Sequence, residues 1–86
     1  MEINWNQRGE FVIPIYVFRY HTEVAMDILK QCLPYKIEYD YAVSGFRVYA
    51  YSNLFSEVDD GCEAPKYILG IHRDEDKITK WELTGR

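Results

Sequence analysis

The stretch that decides the fold is residues 35–51, which read YKIEYDYAVSGFRVYAY. Apolar and polar residues alternate along both halves of it, and a period of two is typical of a β-strand with one face turned to a core. The alternation therefore predicts the two strands of a hairpin. The expected core face of the first strand comprises Tyr35, Ile37, Tyr39, Tyr41 and Val43.

Between the two predicted strands, Ser44–Gly45 fits a two-residue hairpin turn. A turn at this point sets Tyr41 opposite Val48, so that the apolar faces of the two strands agree. Tyr49 and Tyr51 then fall on the other face of the hairpin, among the carboxylates of the first strand.

The region before the hairpin predicts a strand followed by a helix. Residues 11–18 are rich in β-branched and aromatic side chains, which favours a strand, although Pro14 cannot donate to its ladder and requires a bulge or an edge position. Thr22 suits the N-cap of the helix, and Pro34 ends it. The apolar stripe of this helix consists of Val24, Ala25, Ile28, Leu29, Cys32 and Leu33.

The region after the hairpin predicts a short element and a second hairpin. Residues 52–61 have helical spacing over about two turns, which indicates a short helix or a structured loop. Alternating apolar residues on either side of the segment 73–77, RDEDK, predict two further strands. The Asp-rich segment between them is of the kind that joins hairpin strands.

The predicted order is β-α-β-β-(short helix or loop)-β-β. This describes a small two-layer α+β domain in which a mainly antiparallel sheet packs against one principal helix. A ferredoxin-like plan with a degenerate second helix and an extra final strand is the nearest named topology, and it carries no functional implication. We expect the core to include Ile28, Leu29, Ile37, Tyr39, Tyr41, Val48, Leu69 and Trp81.

Size and charge limit the classes of function. The chain of 86 residues suffices for a single domain, residues 1–86, with one core and no large substrate cavity. Its net charge of −4 and its scattered basic residues argue against direct nucleic-acid binding, because affinity for phosphate backbones comes mainly from Lys and Arg. An acidic surface suits either a basic partner or simple solubility.

The two cysteines, Cys32 and Cys62, bear on the compartment. The sequence shows neither a signal-peptide pattern nor an apolar run long enough to span a membrane. We therefore expect a cytoplasmic protein without membrane association, in which both thiols are free and buried. A single disulfide is the alternative if the chain is exported.

The charged segment 73–77 has two interpretations. The first is the solvated tip of a hairpin, where the flanking basic residues partly neutralise three carboxylates. The second is a metal-dependent nuclease site, in which Asp74, Glu75 and Lys77, with Asp59 or Asp60 upstream, hold a divalent metal that polarises a water. A hairpin tip suits such a site poorly, because catalytic ligands need rigid positions.

No other constellation in the sequence predicts catalysis. The four His and Cys side chains lack the close paired spacing that zinc ligands have. Cys32 lies on the apolar helix stripe, which is typical of a core thiol rather than of a nucleophile with a histidine base. We therefore predict no catalytic residues, no metal and no cofactor.

The predicted binding surface combines tyrosines with acidic segments. Tyrosine is enriched at interfaces, because its ring is apolar and its hydroxyl tolerates water. Two acidic segments, residues 57–63 and 74–76, precede and follow the strand that begins near Tyr67, so they are expected to flank one surface. Alternatively, the N-terminal lead-in, residues 1–9, packs over the tyrosines with Trp5. The predicted partner-binding residues are Tyr49, Tyr51, Glu57, Asp59, Asp60, Asp74, Glu75 and Asp76.

These features favour a non-catalytic protein-binding module. It would be a small acidic inhibitor, of the immunity type or a phage-encoded modulator, that docks on a basic protein such as a nucleic-acid-handling enzyme. Two alternatives stay open. One is a homo-oligomeric scaffold, including a homodimer, or a small-ligand binder, and the other is the metal-dependent nuclease.

Overall fold

The computed structural model describes residues 3–85, and its strands are mainly antiparallel. Together with two short helices they make a small two-layer α+β fold, which confirms the predicted fold class. The elements are β1 (Arg8–Pro14), α1 (Ile15–Tyr20), α2 (Thr22–Lys30), β2 (Leu33–Asp40), β3 (Gly45–Tyr51), β4 (Tyr67–Asp74) and β5 (Lys77–Gly85).

The strands form a three-stranded sheet in the order β1-β3-β2 and a separate hairpin of β4 and β5. β1 and β2 run antiparallel to β3 on its two sides, and the two helices connect β1 to β2. This is the split βαβ arrangement with which a ferredoxin-like fold begins. β4 approaches β1 through a parallel bridge between Glu10 and Lys66 and then pairs with β5, so the ferredoxin-like plan describes the first half of the chain alone.

One face of the three-stranded sheet carries the core, and the helices and the β4–β5 hairpin cover it. Leu29, Leu69 and Trp81 face the core, as the periodicities predict, but they are only half-buried. The indole N–H of Trp81 donates a 2.8 Å hydrogen bond to Asp27 Oδ2, which fixes the hairpin against α2. The fully buried apolar residues are Phe11, Ile13, Val17, Ala25, Ile28, Val48, Ala50 and Phe55.

The prediction of the core is right for Ile28 and Val48 and wrong for β2. Ile37 and Tyr39 lie on the core face of the sheet, but 48% and 38% of their surfaces are exposed. Tyr41 lies beyond the strand, in the β2–β3 turn, where it is 86% exposed. This exposure arises because α1 and β4 lie against β1 and leave the edge strand β2 less covered.

The predicted first strand, residues 11–18, is divided between β1 and α1. Pro14 ends the strand instead of forming a bulge, with φ of −58°, and the chain turns into helix at Ile15. The Ile15 N–H donates a 3.0 Å hydrogen bond to the carbonyl of Ser44, which lies in the β2–β3 connection. This bond fixes the start of α1 against that connection. Local propensity favours a strand here, but the helix buries Val17 completely, and tertiary packing overrides propensity.

α2 is shorter than predicted. It ends at Lys30, so Leu33 and Pro34 belong to β2 instead of to the helix and its stop. The Thr22 hydroxyl does not cap α2. It donates to the Phe18 carbonyl of α1 at 2.8 Å and so joins the two helices.

The β2–β3 turn comprises residues 41–44, not Ser44–Gly45. Asp40 Oδ1 accepts a 3.0 Å hydrogen bond from the Ala42 N–H, and Ser44 adopts a φ of 49°, which closes the turn. Ile37 is therefore opposite Val48, where the sequence predicted Tyr41, and Tyr39 is opposite Phe46. Because this shift is even, Ile37 and Tyr39 keep their predicted faces although the register is wrong.

Residues 52–61 form a structured loop, which is one of the two predicted options, and not a helix. The Val58 N–H donates to the Asn6 carbonyl and the Ser56 N–H to the Tyr67 hydroxyl, both at 2.8 Å. These partners lie outside the loop, so the two backbone donors are satisfied without helical hydrogen bonds.

The charged segment 73–77 is the tip of the β4–β5 hairpin, as its composition predicts. The strands extend to Asp74 and from Lys77, so the connection is the two-residue turn Glu75–Asp76. Glu75 has a φ of 57°, the left-handed conformation that tight hairpin turns require.

Candidate functional site

The face of the sheet opposite the core carries a group of packed rings, the aromatic cluster, made of Trp5, Tyr35, Tyr49 and Tyr51. Trp5 meets Tyr51 edge-on, with 4.9 Å between ring centroids, and Tyr35 lies 4.7 Å from Tyr51 and 6.2 Å from Tyr49. These separations are typical of favourable aromatic pairs. Trp5 is 59% exposed and Tyr35 is 47% exposed, so the outer surface of the cluster is accessible.

The aromatic cluster arises from one regular strand and one irregular strand. Alternation with the buried Val48 and Ala50 places Tyr49 and Tyr51 on this face of β3, as the sequence predicts. Tyr35 joins them because a β-bulge between Pro34 and Lys36 inserts an extra residue into β2. The strict alternation that assigned Tyr35 to the core face is therefore wrong at this residue.

Charged side chains surround the aromatic cluster and pair with one another. Arg47 Nη2 lies 2.6 Å from Asp40 Oδ2, and Arg47 Nη1 lies 4.0 Å from Glu10 Oε1. Lys36 Nζ is 3.6 Å from Glu38 Oε2. The carboxylates on this face are thus largely compensated by basic neighbours, so the sheet face itself carries little excess negative charge.

The environment shifts the pKa of a carboxyl and of two phenols on this face. The hydrogen bond from Arg47 holds the pKa of the Asp40 carboxyl below its usual value. Burial raises the pKa of Tyr49, and the Glu10 carboxylate adds to this effect. Burial also raises the pKa of Tyr35, with the Tyr51 phenol as the next cause. Both phenols therefore stay protonated, and able to donate hydrogen bonds, far above neutral pH.

The acidic loop, residues 57–63, lies beside the aromatic cluster because Arg8 holds it there. The Arg8 guanidinium donates to the carbonyls of Asp59 at 2.8 Å and Cys62 at 2.6 Å, and also to the Trp5 carbonyl at 3.1 Å. The Asn4 side-chain amide donates to Glu57 Oε1 and ties the loop to the lead-in a second time. Since Arg8 binds backbone carbonyls, it fixes the loop without pairing with its carboxylates.

The structure separates the predicted partner-binding residues into two groups. Tyr49, Tyr51, Glu57, Asp59 and Asp60 belong to the aromatic cluster and to the acidic loop, at the end of the sheet where β1 begins.

The hairpin-tip residues Asp74, Glu75 and Asp76 lie near the other end of β1. Arg73 packs over the ring of Tyr16, 5.4 Å from its centroid, in the helix that follows β1. The two acidic segments therefore do not flank one surface. The alternative nuclease site is divided in the same way. Its tip residues lie near one end of β1, whereas Asp59 and Asp60 are in the acidic loop at the other end.

Besides Tyr35, the sequence-based prediction left Trp5 and Arg8 out of this region. Trp5 was considered only as a cover for the tyrosines; it does pack on Tyr51 but leaves most of its own surface accessible. No sequence pattern indicated the role of Arg8, because its partners are backbone carbonyls in a loop far away along the chain. Every residue type carries a backbone carbonyl, so the identities of Asp59 and Cys62 do not indicate that Arg8 binds there.

The two cysteines differ in environment. Burial raises the pKa of the Cys32 thiol to about 11, which makes it a poor nucleophile at neutral pH. Cys62 is exposed, so its predicted burial is wrong, and the two thiols are free as predicted. In the part of the chain that the structure describes, no three His, Cys, Asp or Glu side chains are grouped as metal ligands. Nor, between residues 3 and 85, does any helix have the length and apolar character to cross a membrane.

A cleft of about 380 Å³ opens beside Tyr51, between the lead-in and the end of α2. Its walls combine apolar groups such as Ile3 and Leu33 with the amides of Gln7 and Asn53. Pockets that bind small ligands have this mixture of apolar walls and a few polar groups.

Comparisons of the chain with protein-family models, with curated proteins and with solved structures each find no match. No relative therefore suggests a substrate or a partner.

Proposed function

We propose that the protein is a non-catalytic protein-binding module that works in the cytoplasm as a small acidic inhibitor, of the immunity type or a phage-encoded modulator. It docks on a basic protein through the aromatic cluster and the acidic loop. The observation that carries the proposal is the position of the acidic loop, which Arg8 holds directly beside Trp5 and Tyr51.

The aromatic cluster has the properties of an interface centre. Trp and Tyr are enriched among the residues that contribute most to protein–protein affinity. The rings of Trp5, Tyr35 and Tyr51 already pack against one another, so binding would immobilise few additional rotatable bonds. Preorganised and exposed rings supply affinity at a low entropic cost.

The acidic loop supplies the charge that the sheet face lacks. Arg8 holds its backbone and Asn4 holds the Glu57 side chain, while Asp59 and Asp60 are exposed. Carboxylates at the rim of an interface attract a basic partner and raise the association rate more than the affinity. A nucleic-acid-handling enzyme has a basic surface of this kind.

The aromatic cluster can be tested by comparing variants in the capture of basic proteins from native lysate. Trp5→Ala and Tyr51→Ala are expected to weaken binding of the captured partner at least about tenfold through faster dissociation. Tyr20→Ala is the matched control, because this tyrosine is 75% exposed on α1, outside the cluster. If both cluster variants bind like the wild type, the interface lies elsewhere.

The acidic loop can be tested with the same partner by surface plasmon resonance. Replacing Asp59 and Asp60 with Asn is expected to slow association and to flatten its salt dependence, with little effect on dissociation. Asp74→Asn at the hairpin tip is the matched control, because the tip lies away from the loop. An unchanged association rate in the loop variant would remove the loop from the interface.

Small-ligand binding is a second candidate function, and the cleft beside Tyr51 favours it. Native mass spectrometry of the protein purified from its own cells would reveal a retained small molecule. Asn53→Trp, which fills the cleft, should then abolish the added mass, whereas Tyr20→Ala should not. Protein that carries no added mass would contradict this candidate.

A further inference from the structure

The outer edge of β2 combines the features of a strand that pairs with another strand. The order β1-β3-β2 puts β2 at the end of the sheet, with β3 on one side. The side chains of Leu33, Tyr35, Ile37 and Tyr39 are exposed along it. An edge strand with free backbone groups and exposed apolar side chains is a template for a further strand.

The sequence of β2 is symmetric in chemical character. Residues 35–39 read YKIEY, with Ile37 at the centre, a base and an acid on its two sides, and tyrosines outside. When a strand pairs with an antiparallel copy of itself, residues at equal distances from the twofold centre meet. A centre at Ile37 therefore sets Lys36 of each copy opposite Glu38 of the other copy.

The side-chain directions in the structure fit this pairing. Lys36 and Glu38 project from the same face, with 3.6 Å between Nζ and Oε2, whereas Ile37 lies on the core face. Two strands related by a twofold axis normal to the sheet place equivalent faces on the same side. The two Lys–Glu pairs then form on one face and the two Ile37 side chains meet on the other. Both charged side chains are half-exposed, so each can exchange its partner within the chain for the equivalent group of the second copy.

The irregular start of β2 restricts the register. Pro34 has no N–H to donate, and the bulge at Tyr35 interrupts the regular ladder. A slipped register that extends toward Leu33 would meet both obstacles. In the short register centred on Ile37, most of the residues that form hydrogen bonds come after the bulge. This register also keeps Lys36 opposite Glu38 of the other copy.

We propose that the chain forms a symmetric homodimer by antiparallel pairing of two β2 strands centred on Ile37. The two three-stranded sheets become one continuous sheet, in which the exposed apolar residues of β2 are covered by the second copy. The inference is separate from the proposed partner binding: Tyr35 belongs both to β2 and to the aromatic cluster, whereas Trp5 and the acidic loop lie outside the pairing strands.

Charge exchange at the dimer centre tests the proposal, with sedimentation velocity over a concentration series as the measurement. Lys36→Glu and Glu38→Lys each set like charges opposite at two symmetric positions, so each is expected to raise the dimer dissociation constant about tenfold or more. The double variant K36E/E38K restores opposite charges and should restore the dimer. An equimolar mixture of the two single variants should form a heterodimer, because one chain then contributes two acids and the other two bases.

Matched controls separate this result from loss of folding or of partner binding. Lys80→Glu makes the same change on the exposed strand β5 and should leave the dimer intact. Trp5→Ala should also leave it intact, and circular dichroism should show a folded chain for every variant. A wild-type chain that remains monomeric up to about 1 mM overturns the proposal. A dimer that resists both single variants, or that the double variant fails to restore, overturns it as well.

Discussion

β1 and β2 flank the same central strand, yet one is buried and the other is exposed. Phe11 of β1 and Ile37 of β2 are both opposite Val48 of β3, on the same face of the sheet. Phe11 is 1% exposed and Ile37 is 48% exposed. The elements that lie against β1, namely α1 and β4, do not extend equally over β2. Strand pairing thus decides which side chains share a face, whereas burial depends on what packs on that face.

The largest expected effect is the difference between two isoleucines on these flanks. Ile13→Ala in β1 should cost about 2–5 kcal/mol of unfolding free energy, because Ile13 is fully buried and a cavity remains. Ile37→Ala in β2 should cost less than about 1.5 kcal/mol, because about half of its surface is already in water. Urea denaturation at low protein concentration, where dimers dissociate, measures both. Equal losses would show that β2 is covered.

A glycine on the buried flank should give the next largest effect. A Cβ added at Gly9 of β1 would lie 2.8 Å from the Tyr67 ring and 3.0 Å from the Phe55 ring. Gly9→Ala should therefore destabilise the fold by about 1–3 kcal/mol, since both rings are packed on the core.

The matched control for this glycine is Gly70→Ala in β4. Its added Cβ would lie 3.3 Å from Glu82 Cγ, in a flexible exposed side chain that can move away. Thermal unfolding of the two variants measures the difference in stability between them. A Gly9→Ala protein as stable as Gly70→Ala would show that β1 tolerates more volume than the structure allows.

On the exposed flank, the Asp40–Arg47 pair joins β2 to β3, and its effect should depend on pH. The pKa of Asp40 is lowered in the folded protein, so the folded state binds the proton less readily than the unfolded state. The pair therefore stabilises the fold above the usual Asp pKa, near 3.9, and this contribution is lost as the pH falls through the lowered value.

Asp40→Asn should accordingly lower the melting temperature slightly at pH 7, and the difference from wild type should shrink toward about pH 2. Melting temperatures across this pH range measure it. Asp60→Asn, in the acidic loop, provides the control for a change of net charge. A difference that stays constant with pH would show that the Arg47 contact does not act through the Asp40 charge.

The hairpin tip lies outside both flanks and should give the smallest effect. Replacing Asp74, Glu75 and Asp76 with Asn, Gln and Asn should change stability by no more than about 0.5 kcal/mol each, because all three are exposed. Calorimetry with magnesium, manganese and calcium should show the same heats for the variant and the wild type. A micromolar metal site that disappears in the variant would support a metal centre at the tip.

The strands were predictable to different degrees for identifiable reasons. The alternation in residues 35–51 indicated both strands, and the even register shift preserved their faces although the turn was misplaced. Tyr35 was assigned to the wrong face because a bulge breaks the period of two. Residues 15–18 were assigned to a strand because their side chains favour one, whereas burial of Val17 stabilises a helix.

The candidate site was predictable in part. Tyr49 and Tyr51 follow from the alternation in β3, and the sequence itself shows where the acidic loop lies along the chain. The contribution of Trp5 and Tyr35, and the Arg8 contacts that hold the loop beside them, depend on groups far apart in sequence.

By itself, the sequence determined the α+β class, the strands of both hairpins, the helix after Thr22 and the solvated tip at residues 73–77. These features depend on local periodicity and turn chemistry, which neighbouring residues encode. Only the tertiary structure decided that β1 is buried while β2 remains an open edge, and that the two acidic segments lie apart. Burial and proximity depend on contacts between distant residues, and the same alternating pattern is compatible with a covered or an uncovered face.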